Sequence, residues 1–444
     1  MGRRHLESAS SGEFTVSPLP PPFHAIGLVD CNSMYASAEI IFRPWLRDFP
    51  TVVLSSNDGN AIARNAPAKA LGIPMGAPWH EIAPLHRRGQ LAVFSSNFAL
   101  YQDISDRVMA LLARQAASIS VYSIDEAWVD LSGLGDDLET WGHETRATLL
   151  QQIGMPVGIG ISVNKTLAKL ANWGAKKWAK QTGNVVDLRD PVRREKLLKL
   201  ASVHEVWGIG SRLTRRLEAD LGISTAWQLA RANPRLLRRH YGVTVERTAR
   251  ELAGERCFPF DEDPVPKQQI IASQSFGRRV HDREGVAAAL ASLTARAAAK
   301  LRGQGSLTHC LQVFIHTSPF DRRGEPYSAR QIVPFPAPTD DSRELIGAAM
   351  GALQQMYREG PAYAKGGVMF SQFVPARHRT DDLFAPGRRP GSEQLMSVMD
   401  RINARMGRGT VRIAQEEVSS GWEMRRQFLS PAYTTRWDDL PEAN

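Results

Sequence analysis

Two adjacent carboxylates, Asp125 and Glu126, stand between two short apolar runs, Ser118-Ile119-Ser120-Val121-Tyr122 before them and residues 127–131 after. β-Branched and aromatic runs this close together read as a β-hairpin with the carboxylates at its tip. A third carboxylate, Asp30, closes another such run, Ile26-Gly27-Leu28-Val29, and Cys31 follows it. Neighbouring carboxylates repel, so a cluster of this kind calls for a cation between them. Three carboxylates at strand ends can hold two Mg²⁺ ions, and two such ions can move a phosphoryl group. The plainer alternative is a polar turn after a strand.

A chain of 444 residues, 43% hydrophobic and 23% charged, has material for roughly two to four globular domains. No apolar run approaches the ~18 residues of a membrane span. The first 22 residues lack the apolar core of a signal peptide and end in Pro18-Leu19-Pro20-Pro21-Pro22, which reads as a disordered extension. Cys31, Cys257 and Cys310 form no CxxC pair, which points to a reducing cytosol and away from structural zinc. Of a net charge of +9, residues 191–258 carry +7 and residues 267–375 carry +5, while residues 1–190 carry −1. The basic excess lies outside the carboxylate segment, and a polyanion is its natural partner. A generally Arg-rich chain is the alternative.

Residues 24–190 alternate strand-like and helix-like runs, as an α/β or α+β domain does. Strands are expected at 26–29, 51–54, 91–94, 119–122, 127–131, 157–161 and 185–187, and helices over 98–116, 139–152 and 164–180. In the last helix Lys165, Lys169 and Lys176 fall within about 40° of one another, with Leu167 and Leu170 on the core side. The stripe is either a solvated basic face or a set of cations for phosphate charge. Residues 57–90 break the pattern as a small insert. Asn57-Asp58-Gly59-Asn60 is a turn. Small residues and two cations, Arg64 and Lys69, follow it, a surface able to lie against a base pair or simply a short helix with a basic face.

Residues 191–256 read as short-looped helices. Val206-Trp207-Gly208-Ile209-Gly210, ahead of periodic Leu213, Leu217 and Leu221, looks like a helix-hairpin-helix turn. There Gly208 and Gly210 would let the backbone approach a DNA phosphate at a helix N-terminus, beside Arg212, Arg215 and Arg216. An ordinary αα turn is the alternative. Residues 257–268 read as a Pro-rich acidic linker. Residues 269–375 read as strand, helix, strand, strand, helix, strand, an α+β module with an antiparallel sheet. Beyond 376 the composition is irregular, apart from a helical run at 393–406.

These stretches carry a family resemblance. The chain resembles the Y-family translesion DNA polymerases and, within them, the UmuC-type catalytic subunits of bacterial DNA polymerase V. Matching pieces are Val29-Asp30 with Met34-Tyr35-Ala36-Ser37-Ala38-Glu39, then Ser56-Asn57-Asp58-Gly59, Ile62-Ala63-Arg64-Asn65, Tyr122-Ser123-Ile124-Asp125-Glu126-Ala127, Lys165-Thr166-Leu167-Ala168-Lys169 and the Val206–Gly210 turn. The late pieces His316-Thr317-Ser318-Pro319-Phe320, Arg389-Pro390-Gly391-Ser392 and Leu429-Ser430-Pro431-Ala432-Tyr433 mark the branch. The resemblance spans about residues 24–436.

It implies an α+β multidomain, right-hand polymerase. Palm would cover 23–56 and 92–190, small fingers 57–91, a helical thumb 191–258 and an α+β little finger 269–375. A linker at 259–268 and a partner-binding region at 376–444 complete the chain. The implied activity is error-prone, template-directed translesion synthesis in the SOS response. Asp30, Asp125 and Glu126 fall on the positions of ligands for two Mg²⁺ ions, and the backbone carbonyl of Cys31 would complete one shell. One ion would activate the primer 3′-hydroxyl and the other would hold the triphosphate. Tyr35 falls on the steric gate beneath the incoming sugar. Lys69 and Lys176 fall on triphosphate contacts, with Arg64 as a further candidate. Implied partners are primer–template DNA, dNTPs, a UmuD-type accessory dimer, a RecA filament and the sliding clamp, all in the cytoplasm at the nucleoid. The branch's clamp peptide, Gln-Leu-x-Leu-Phe, is here Thr380-Asp381-Asp382-Leu383-Phe384, which keeps only Leu-Phe. Two other readings compete. A different two-metal palm enzyme, such as a nucleotidyl cyclase, has the basic middle and Tyr35 against it. A DNA-binding damage-response scaffold with weak or no polymerase activity has the three carboxylates against it.

Overall fold

The computed structural model describes residues 25–260, 266–320, 326–378, 389–416 and 421–440. The expected N-terminal extension, the middle of the linker and the stretch 380–384 lie outside the described residues. Strands are β1 (Ile26–Cys31), β2 (Thr51–Leu54), β3 (Ala61–Arg64), β4 (Ala92–Ser95), β5 (Ser118–Val121), β6 (Glu126–Asp130), β7 (Val157–Ser162), β8 (Val185–Asp187), β9 (Gln269–Val280), β10 (Ser306–Thr317), β11 (Ser328–Thr339) and β12 (Tyr363–Pro375). The chain forms two compact units, residues 1–32 with 104–261 and residues 33–103 with 262–444.

In the first unit a sheet runs β5-β6-β1-β7-β8. β1 is antiparallel to β6 and to β7, and β7–β8 is parallel. β7, Val-Gly-Ile-Gly-Ile-Ser, is buried at every position, as a strand covered on both faces must be. A Cβ at Gly160 would lie 2.2 Å from the carbonyl oxygen of Ala168 and from the amide nitrogen of Asn172. Helix Lys165–Lys177 therefore rests its backbone directly on the strand. One side of that helix, Leu167, Leu170 and Ala171, shares a core with Leu197, Val203, Leu217 and Leu237. Ala168 packs instead with Leu28 and Trp128. The expected all-helical stretch is present, from Pro191–Leu200 to Val243–Leu252.

Polar anchors fix the start of helix Lys165–Lys177. Asn164 Oδ1 accepts from the Leu167 amide at 2.9 Å, a side-chain N-cap. Glu251, fully buried, accepts from the amides of Thr166 at 2.9 Å and of Cys257 and Phe258 at 3.0 Å each. A carboxylate at a helix N-terminus is also favoured by the helix dipole. Glu251→Ala strands these three donors, and urea denaturation is expected to show a loss of roughly 3 kcal/mol.

In the second unit a small sheet runs β3-β2-β4, with β2 parallel to β4. Where the sequence allowed a short helix with a basic face, residues 61–64 form β3. Its inward positions are Ala61 and Ala63, small side chains that hide the period of two. The second sheet runs β11-β10-β12-β9, antiparallel throughout. Helices Arg283–Gly303 and Ser342–Met356 cover one face, and their Leu290, Leu293, Leu345 and Leu353 pack on Val313, Ile315 and Phe370. Alternating buried and exposed positions along β9 leave the other face open. No described helix is long and apolar enough to cross a membrane.

Candidate active site

The strand register brings the carboxylates together. Asp30 pairs with Glu126 across β1–β6, and the Cys31 amide donates to the Asp125 carbonyl at 2.8 Å. Ser123 shapes the hairpin tip. Its hydroxyl donates to Asp125 Oδ1 at 2.5 Å and accepts from the Glu126 amide at 3.1 Å.

Two lysines of helix Lys165–Lys177 face this cluster. The Lys169 ammonium donates to the two Glu126 oxygens at 3.0 and 2.8 Å. Lys176 Nζ stands 2.5 Å from Asp30 Oδ1. Glycine at 158 makes that reach possible, because a Cβ there would lie 3.0 Å from Lys176 Cε. Lys169 also lies over the Tyr122 ring at 4.8 Å, and the buried Lys165 lies over Trp128 at 5.6 Å. The lysine stripe is thus not a solvated face, since two of its ammonium groups neutralise carboxylates.

Burial pushes the Asp30 carboxyl up to about 6, with Lys176 pulling it down and the Glu126 charge pushing it further up. Burial, then the neighbouring Asp30 and Asp125 charges, also push the Cys31 thiol up.

Among the described residues no three His, Cys, Asp and Glu side chains converge as a ready-made metal cluster. The donor set nonetheless fits hard divalent ions. Two carboxylates meet across one strand pair, and the Glu126 charge adds to the burial that raises the Asp30 carboxyl. Asp125 adjoins them, every donor is oxygen, and the present counter-charges are ammonium groups on long flexible stems.

Asp30, Cys31, Asp125, Glu126 and Lys176 share the first unit. Gly208 and Gly210 lie there too. Gly208 has φ 84°, and Gly210 is the N-cap of helix Ser211–Leu221 with open space where a Cβ would stand. Arg212 is exposed. Arg216 is engaged within the fold, donating to the His240 carbonyl at 3.2 Å and lying over the Tyr241 ring at 4.9 Å. Tyr35, Arg64 and Lys69 belong to the second unit. The half-buried Tyr35 ring stacks on Tyr101 at 4.6 Å and meets Phe98 edge-on at 5.8 Å. Lys69 is exposed and donates to Ser33 Oγ at 3.1 Å. Arg64 donates to the Ile73 carbonyl at 2.6 Å, a contact inside its own subdomain.

Sequence reasoning did not single out Ser123, Asn172, Gly158 or Gly160. Asn172 donates to the Gly158 carbonyl at 2.7 Å, fastening the helix to β7. The available signal was glycine at alternate positions in an apolar strand, which marks close approach of another backbone.

Residues 29–172 match the impB/mucB/samB family, and residues 267–383 match that family's C-terminal domain. Residues 393–443 match a domain of unknown function, DUF4113. Protein UmuC of Salmonella typhimurium is 46% identical over 93% of this chain and 98% of its own length. The chain belongs to the impB/mucB/samB group of Y-family DNA polymerases. Protein ImpB of Salmonella typhimurium is 44% identical over 94% of this chain and 99% of its own. DNA polymerase IV of Caulobacter vibrioides is 26% identical over 87% and 93%. A Y-family DNA polymerase chimera of Dbh and Dpo4 superposes with a TM-score of 0.59 at 20% identity, covering 79% of this chain and 99% of that one. The fold is thus the α+β right-hand polymerase fold, with palm, small fingers, helical thumb and α+β little finger. This Y-family polymerase is a DNA-directed DNA polymerase of the translesion class, a group that works with divalent metal ions. Family membership sets aside the nucleotidyl cyclase.

Proposed function

We propose that this polymerase performs error-prone, template-directed translesion synthesis in the SOS response by two-metal nucleotidyl transfer, with Asp30, Asp125 and Glu126 as the ligand carboxylates. The pairing of Asp30 with Glu126 across β1–β6, with Asp125 adjoining, carries the reading. Two Mg²⁺ ions bound there would activate the primer 3′-hydroxyl and neutralise charge on the triphosphate and departing pyrophosphate. Cys31 would add its backbone carbonyl. Lys176 would swing from Asp30 to the triphosphate along the lane that Gly158 leaves open. Lys69 and Arg64 would bind the same phosphates, although Arg64 must first give up Ile73.

Tyr35 would act as the steric gate, its ring held by Tyr101 and Phe98. Tyr35→Ala is expected to shift the ratio of ribonucleotide to deoxyribonucleotide incorporation on the order of a hundredfold. Single-nucleotide incorporation checks this, and an unchanged ratio removes Tyr35 from that role. Gly208, Gly210 and Arg212 would contact primer–template phosphates, with the open face of the β9–β12 sheet as a second grip. Residues 23–56 and 92–190 would be palm, 57–91 fingers, 191–258 thumb and 269–375 little finger. The resemblance to UmuC-type subunits would give the enzyme a UmuD-type accessory dimer, a RecA filament and the sliding clamp as partners, at the nucleoid.

The decisive experiment is single-turnover dNTP incorporation across a Mg²⁺ titration. A rate climbing with close to the square of Mg²⁺ concentration at the low end supports two ions. A simple one-site curve contradicts the two-metal reading.

A further inference from the structure

Residues 422–428 cross from one hydrophobic core of the second unit to another. Trp422, 7% exposed, sits in the core under the four-stranded sheet, with its ring 6.5 Å from Phe276 of β9. Phe428 packs on the core of the three-stranded sheet, 5.1 Å from Trp79 and 5.4 Å from His86. Six residues reach at most about 20 Å, so a chain anchored at both ends limits how far the two cores can separate.

The segment's backbone is held along its length. The Gly277 amide donates to the Trp422 carbonyl at 3.1 Å. The Arg425 amide donates to Asn57 Oδ1 at 2.9 Å and the Gln427 amide to Asp58 Oδ2 at 2.8 Å. Ser95 and Phe428 exchange two bonds, amide to carbonyl and hydroxyl from amide, at 2.9 Å each. Asn57 is a three-way junction, because its side chain also donates to the Ser275 carbonyl at 2.9 Å. Asn57 and Asp58 are both left-handed, with φ 61° and 52°, a conformation Asn and Asp tolerate better than most residues. The Asn57-Asp58 turn thus presents two side-chain acceptors to one passing strand. Farther upstream, helix Ser392–Met406 is pinned to the four-stranded module. Arg302 grips Asp400 with two bonds of 2.7 and 2.8 Å, and Ser392 donates to the buried Asp341 at 2.5 Å. Apart from Ser392, both parts lie in the region matched by the domain of unknown function.

We propose that this region is an intramolecular brace: segment 422–428 couples the small three-stranded sheet to the four-stranded sheet module, and the Asn57-Asp58 turn is its receptor. Gly277 supplies a narrow probe. A Cβ there would lie 2.1 Å from the Glu423 carbonyl oxygen and 3.1 Å from the Arg425 nitrogen, both in the brace. Gly277→Ala is therefore a wedge against the brace. Asn57→Gly is the second variant; it removes the junction side chain while keeping the left-handed backbone free of strain.

The test uses the full chain with Cys257→Ser, carrying fluorophores at Leu71→Cys and Ile332→Cys, both exposed positions. Amide exchange at Gly277 and Phe428 reports the brace, the inter-dye distance distribution reports coupling, and far-ultraviolet circular dichroism reports folding. The brace predicts a narrow distribution in the unsubstituted background. It predicts a broadened one in each variant that keeps its dichroism, with exchange at both amides at least tenfold faster. A narrow distribution persisting after the amides open would overturn the proposal, as would amides that stay protected in both folded variants. If Gly277→Ala loses its dichroism, Asn57→Gly decides. Neither readout involves metal or nucleotide, so failure of the catalytic reading leaves the brace standing.

Discussion

Asp30→Asn is expected to abolish nucleotide transfer while making the protein more stable. If Asp30 is the proposed metal ligand, its loss should cut single-turnover incorporation by about a thousandfold or more, on the order of 4 kcal/mol of barrier. The gain follows from the carboxyl's position: burial, assisted by Glu126, raises it to about 6. Between pH of about 4 and about 6 the folded protein holds a proton that the unfolded chain has lost. Stability therefore falls as pH rises through that window, and the cost is fully present above it. A shift of about two units, already net of the Lys176 attraction, corresponds to roughly 3 kcal/mol at neutral pH, and the cost of seating an amide among the charged Glu126 and Lys176 offsets part of it. A net gain of about 1–2 kcal/mol should appear in urea denaturation at pH 7. The slope between pH about 4 and 6 should flatten in the variant. An inactive but less stable variant would contradict this account of the site's electrostatics.

Gly160→Ala is expected to show the largest stability loss of any single methyl added to the first unit. The added carbon would meet backbone atoms of helix Lys165–Lys177 at 2.2 Å, and backbone cannot turn aside as a side chain can. The helix must move off β7 or the strand must bend, at about 3 kcal/mol or more. That movement carries Lys169 and Lys176 away from Glu126 and Asp30, so catalysis should fall as well. Gly158→Ala is the contrast. Its nearest neighbour is the flexible Lys176 stem at 3.0 Å, so stability should change by less than about 1 kcal/mol. The displaced lysine should instead show as a raised KM for dNTP. Equal stability losses at the two glycines would mean that the helix is not seated as described.

Much of this was legible in the sequence. The hairpin around Asp125 and Glu126 announces itself because its strands are rich in β-branched residues and its turn is polar. The strand and helix order of the β9–β12 module was also legible, helped by the alternation of inward and outward residues along β9. β3 escaped because its inward residues are alanines, too small to mark a face. The lysine stripe was visible as a stripe, but its partners were not. Lys169 meets Glu126 across 43 positions and Lys176 meets Asp30 across more, and no local pattern records such pairings. The Asn57-Asp58 turn read only as a turn, because its occupant arrives from residues 425 and 427. Local conformation is written locally, whereas the electrostatic pairing of the site and the closure of the C-terminal segment depend on tertiary register.

On the proposed reading, this chain copies damaged DNA through Asp30, Asp125 and Glu126. Primer extension past an abasic site, with Mg²⁺ and dNTPs, tests it most directly when wild type and Asp125→Asn run in parallel, with and without accessory subunit and RecA filament. Wild type is expected to extend past the lesion in at least one arm, and Asp125→Asn in none. Extension that survives Asp125→Asn, or none in any arm despite retained primer–template binding, would contradict it.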